Sequence, residues 1–140
     1  MALQNVWIRT LGDGLIRADQ VIGIGSRRTP ALAGKPGRWL VTAALAAPAG
    51  SGTADGWEVT NLHRTLAQAD QEPRLAPEAL ARLLSELSAT GAAGLITPAV
   101  CGPDRGEVRF DFTPFDTGEA RGGGPALSTA ARIPDAVPVG

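Results

Sequence analysis

Two side chains in this sequence of 140 residues could carry nucleophilic catalysis: His63 and Cys101, each the only one of its type. A thiol becomes a strong nucleophile when an imidazole takes its proton, and a third group, Asp70 or Asp104, could orient that ring. Ordinary packing competes with this reading. A lone cysteine after Ala99 and Val100 reads as a small buried hydrophobe, and a lone histidine in a segment of mixed pattern reads as a surface or edge residue. The balance is against an enzyme, with His63 and Cys101 kept as the catalytic candidates. The acids are scattered among turns and an outer helix face, so no carboxylate pair for acid–base work is evident.

Metal and cofactor chemistry have less to build on. One His and one Cys cannot make a zinc cage or an H-E-x-x-H site, and no calcium-loop spacing of acids occurs. Gly23-Ile24-Gly25 begins a dinucleotide fingerprint, but Arg28 stands where its third glycine belongs and no helix pattern follows. No phosphate-cradling G-x-x-x-x-G-K-[ST] loop is present, and Ser51 lacks the first glycine of a nucleophile elbow. No cofactor and no metal are expected.

Binding chemistry offers two sets of residues. Arg27, Arg28, Lys35 and Arg38 are four cations with no acid between them, on or beside a loop, and could hold an anion or nucleic acid. The chain as a whole has 13 basic and 14 acidic residues, so no summed field favours nucleic acid or an anionic membrane. Trp7 and Trp39, with Trp57 after a glycine-rich stretch, read as core or rim residues or as an aromatic binding face.

The elements that must position these residues are mostly strands. Residues 5–11 put Val6, Ile8 and Thr10 on one face and Trp7, Arg9 and Leu11 on the other, and Asp13-Gly14 turns the chain into a return strand over 15–18. Residues 21–28 form a further strand, with Ile22 and Ile24 on one face and room beside Gly23 and Gly25 on the other. A Pro- and Gly-rich loop over 29–37 leads to a strand over 38–47 that is apolar on both faces. Residues 49–56 read as a flexible connector and 94–100 as an edge strand; 57–59 and 63–68 read as strands, although Leu62, Leu66 and Ala69 also recur at helical spacing after Asn61, and 107–112 reads as a last strand or as an aromatic strip laid over the core.

The helix signal is the strongest. Leu80, Leu83, Leu84 and Leu87 make one apolar stripe, Pro77 suits the first turn, and Gly91 suits a left-handed cap. Residues 77–90 are therefore read as a helix with one buried face. Leu75 and Leu80 are expected to meet across its start.

A chain of this length buries roughly two-thirds of its unfolded surface and needs no disulfide or metal to fold. The 18 Gly and 11 Pro crowd into loops and into everything past Gly102, which divides the chain into a single domain, 1–114, and a Gly/Pro/Ala-rich tail, 115–140. That tail cannot bury enough apolar surface by itself to offset its ordering entropy, so it is read as disordered. The start has no basic and apolar leader pattern, and the longest apolar run is far short of a membrane span, which predicts a cytoplasmic protein.

The segment Ile8-Arg9-Thr10, Asp13-Gly14-Leu15-Ile16 and Ala18-Asp19-Gln20-Val21-Ile22, with the leucine-striped helix much later, resembles small bacterial proteins of unassigned activity. Those open with a hairpin and close with one helix against a bent sheet. The resemblance implies a fold and no function. The expectation is an α+β domain, an antiparallel meander of four to six strands with one amphipathic helix on one face. Its expected role is non-enzymatic: binding a protein partner, or its own copy as a homo-oligomer, through a sheet edge or the Trp-bearing face.

Overall fold

The computed structural model describes residues 3–12, 14–53 and 56–116, and of residues 49–53 and 56–60 the backbone alone. Among the described residues, seven strands and one α-helix make an α+β fold: β1 (Val6–Thr10), β2 (Gly14–Arg17), β3 (Val21–Arg28), β4 (Trp39–Thr53), β5 (Gly56–Ala69), α1 (Ala76–Thr90), β6 (Gly94–Cys101) and β7 (Glu107–Pro114). The strands divide between a four-stranded sheet, in the order β2-β1-β6-β7, and a three-stranded sheet, β3-β4-β5. A short 3₁₀ turn, Ala18–Gln20, carries the chain from the first sheet into the second. α1 carries it back, so that β6 lies parallel to β1, the one parallel pairing among otherwise antiparallel neighbours. The seven strands thus exceed the four to six expected, they divide between two sheets, and β6, expected at an edge, is internal.

Period-two patterning places the core. Val6, Ile8 and Thr10 are buried, and Ile8 lies opposite Ile16 on one side and Ile96 on the other. Ile96 in turn faces Phe112. The second sheet contributes Val41, Ala43 and Leu45 from β4 and Leu66, Ala67 and Ala69 from β5. Leu66 and Ala67 are adjacent in sequence yet both buried because the register slips there: Val41 pairs with Ala67 and Thr42 with Thr65, leaving Leu66 as an extra residue. A similar slip in β3 leaves Ile22 between Val21 and Gly23, and Ile22 is exposed while Ile24 packs on the core. Their expected shared face is broken by that bulge.

α1 begins one residue before the predicted start and ends where its pattern ends. Gly91 takes φ 64°, a left-handed conformation that favours glycine, and its N–H donates to the carbonyls of the last turn. Leu80 and Leu87 are buried, Leu83 and Leu84 half-buried. Full burial of one such leucine contributes about 2 kcal/mol. The helix touches β7 of the first sheet and β3 of the second, so its apolar stripe joins the two layers. Leu75 points away, 79% exposed, and does not make the contact with Leu80 expected at the helix start.

Residues 49–53, read from sequence as connector, continue β4, and β5 is one strand where two were predicted. The register runs from Pro48 opposite Asn61 to Thr53 opposite Gly56. Backbone pairing needs no particular side chain, which is why glycine-rich sequence did not reveal it. At the other end, the Phe115 N–H donates to the Ala93 carbonyl at 3.0 Å. Asp13, and the stretch 117–140 on which most of the tail expectation rests, lie outside the described residues. No helix among the described residues is long and apolar enough to cross a membrane.

Candidate interaction surfaces

His63 lies on β5 opposite Ala44, with its Nδ1 3.0 Å from the Asn61 carbonyl oxygen. Cys101 ends β6 in the other sheet, its Sγ 4.0 Å from Glu107 Oε1. The far end of β5 is the one that meets the β6–β7 turn, where the Asp70 N–H donates to the Arg105 carbonyl at 2.9 Å. From His63 to that end is roughly 20 Å at about 3.3 Å per strand residue. The imidazole and the thiol are therefore not brought together. Asp70 instead receives Arg38 Nη1 at 2.7 Å, with Arg105 Nε at 3.7 Å, and Asp104 is exposed in the turn. Among the described residues no group of three or more His, Cys, Asp or Glu gathers as a metal site.

The four cations are close in the chain but do not converge. Arg27 and Arg28 are consecutive in β3, opposite Leu40 and Trp39, so their side chains leave opposite faces of the sheet. Lys35 is exposed in a tight turn closed by reciprocal Leu32–Lys35 backbone hydrogen bonds, and Arg38 is committed to Asp70. The tryptophans are likewise separated. Trp7 is half-buried on the outer face of the first sheet, opposite Arg17 and Leu95. Trp39 is half-buried against the core from the second sheet. They do not form one aromatic platform. The side chain of Trp57 lies outside the described residues.

Two features that sequence reading passed over stand out. The first is the far half of the β4–β5 hairpin. β3 pairs with β4 only from Trp39 to Leu45, while the β4–β5 pairing continues to Thr53 and Gly56. Beyond Leu45 these two strands form a ribbon with no third strand of the sheet beside it among the described residues. The only cue in the sequence is that strand-like patterns flank the glycine-rich stretch on both sides.

The second is an apolar groove of about 530 Å³ between the start of α1 and β7. Ala76 and Ala79 form its helical wall and Glu107 to Phe110 its strand wall, with Leu75 also lining it. β7 is the last strand of its sheet, with β6 as its one strand neighbour among the described residues. The charges around the groove are largely paired: Arg74 with Glu72 at 3.6 Å and Arg109 with Asp111 at 3.0 Å. The Asp111 carboxylate, accepting from Arg109, holds that guanidinium above its ordinary pKa, so it stays a cation. A shallower groove separates α1 from β3, where Ile22 faces Pro77, Ala81 and Leu84. The space beside Gly23 and Gly25 is thus only partly filled by the helix. No protein-family model, curated protein or solved structure matches this chain.

Proposed function

We propose that this chain is a non-enzymatic interaction module that associates through a sheet edge, with the β4–β5 ribbon as the contact and a second copy of the chain as the first partner. The observation that carries the reading is the length of the ribbon past β3. An isolated two-stranded pair is marginally stable in water, and its outer N–H and C=O groups are a ready template for another strand. Two identical ribbons related by a twofold axis can present the same edge to each other, closing the assembly at two copies. The separation of His63 from Cys101, and the engagement of Asp70 by two arginines, weigh against the enzymatic alternative.

The test uses two differently tagged copies expressed together. Replacing residues 48–61 with Asn-Gly, a pair suited to a tight hairpin turn, shortens the ribbon and leaves the buried Leu45 and Leu66 in place. The full chain should capture its second copy and the shortened chain should not, with unchanged circular dichroism. Equal capture by both chains would remove the ribbon from the account.

A further inference from the structure

The ribbon has two outer edges, and they are not equivalent. We propose that a second copy pairs with β5 and not with β4, antiparallel and about a twofold axis at Thr60, so that the second sheets of the two chains become one. This rests on the reading of the ribbon as the self-association contact and adds which strand and which register make it.

Backbone direction alternates along an antiparallel strand, so one outward residue fixes the others. The Leu11 N–H, from the first sheet, donates to the Thr65 carbonyl at 2.9 Å, and Thr65 therefore turns its backbone groups away from β4. The slip between Ala44 and Pro48 adds residues to β4 and none to β5, so the alternation carries through and positions 57, 59, 61 and 63 also face outward. Pro48 agrees with this parity: it lies opposite Asn61 and has no N–H to exchange across the ribbon. The outward Asn61 carbonyl is met by His63 Nδ1 at 3.0 Å, an exposed contact that an incoming N–H replaces. Among the described residues β5 has no strand partner other than β4.

The free edge of β4 is obstructed by comparison. The 3₁₀ turn that precedes Val21 lies against β4, whose last pair with β3 is Val21–Leu45. From Ala44 to Pro48 the strand then takes four steps where β5 takes two, from His63 to Asn61, and such a bulge bends an edge away from regular pairing. Pro48 follows, facing outward without a donor. β5 carries no proline, and its register runs without a slip from Asn61 to Gly56.

The limits of the free stretch select the axis. At Thr60 it sets Trp57 opposite His63 and Val59 opposite Asn61 of the second copy, which engages every outward position from 57 to 63 in an isologous contact. Axes nearer Thr65 set a partner against the carbonyl that Leu11 occupies, and axes nearer the turn carry His63 past Gly56. Glu58, the one acid from 57 to 63, falls opposite Leu62 of the second copy, whereas an axis at Glu58 would set like charges opposite each other.

The experiment places single cysteines in the full chain carrying Cys101→Ser. Two copies of residue 60 would form a non-hydrogen-bonded pair with Cα atoms about 4.5 Å apart, within reach of a disulfide, whereas two copies of residue 58 would lie roughly 13 Å apart along the strands. Thr60→Cys should therefore give a covalent dimer on mild oxidation about tenfold faster than Glu58→Cys. Val59→Pro removes an outward N–H from β5, and Gly50→Pro, at the opposite position, removes one from β4. The dimer seen by sedimentation should be lost with Val59→Pro and kept with Gly50→Pro; if both prolines abolish it, the cross-linking ratio decides. A dimer that cross-links no faster at 60 than at 58, or that survives Val59→Pro and is lost with Gly50→Pro, overturns this edge and register while leaving association through the ribbon. An unaltered chain that stays monomeric removes both.

Discussion

Arg38 and Asp70 hold the entrance of β4 to the exit of β5, Nη1 to Oδ1 at 2.7 Å, at the point where the second sheet meets the first. Asp70 also donates its backbone N–H to Arg105 and has the Arg105 guanidinium 3.7 Å away. One residue thus links both sheets through backbone and side chain. Both side chains of the 2.7 Å pair remain more than a third exposed or close to it, at 43% and 34%, so solvent screens their attraction.

Asp70→Asn should lower stability modestly, by about 1 kcal/mol, because the charge is lost while a polar partner remains. Urea unfolding at low and high salt checks this. The difference between the two proteins should shrink at 1 M salt.

Leu80→Ala should cost about 3 kcal/mol, since Leu80 is fully buried where α1 joins the sheets. Leu83→Ala, at a half-buried position, should cost less than half as much. Thermal or denaturant unfolding of the two variants gives the comparison. Equal costs would mean that the helix sits with a different face inward.

Gly94→Ala should destabilise the first sheet by about 2 kcal/mol, as overpacking does. A Cβ at Gly94 would lie 2.5 Å from Phe112 Cζ and collide with the Thr113 carbonyl oxygen. Adding Phe112→Leu should recover part of the loss, which a double-mutant cycle measures.

The Arg17 side chain, donating to Asp19 at 2.6 Å, holds the Asp19 carboxyl below its ordinary pKa, with Gln20 as a further donor. A carboxyl whose folded value lies below its unfolded value stabilises the fold above the unfolded pKa, near 3.9, and that contribution is lost as pH falls through the lower, folded value. Arg17→Gln should move the Asp19 titration upward, read by NMR of its carboxyl carbon. The acid-unfolding curve should start at a higher pH.

Local periodicity made most elements legible. The leucine spacing marked α1 to within one residue, and alternation marked β1, β3 and β7. Sheet membership was not legible, because parallel pairing of β1 with β6 depends on where the helix returns the chain rather than on either strand's pattern. Bulges hid as well: Ile22 and Leu66 follow strand alternation in sequence and depart from it only through their partners' register. The candidate surfaces were the least visible. The ribbon is built by backbone pairing in glycine-rich sequence, and the groove is a space between α1 and β7 that neither segment encodes alone. The candidate residues His63 and Cys101, and the four cations, are not brought together for the same reason, since proximity and face are set by topology and not by residue type.

Sedimentation velocity of the full chain from about 1 to 100 μM, spanning typical μM association, tests the central claim most directly. The account predicts a species approaching twice the 14.3 kDa chain mass as concentration rises, absent when residues 48–61 are replaced by Asn-Gly. A mass of 14.3 kDa throughout the series for the full chain would contradict pairing with a second copy.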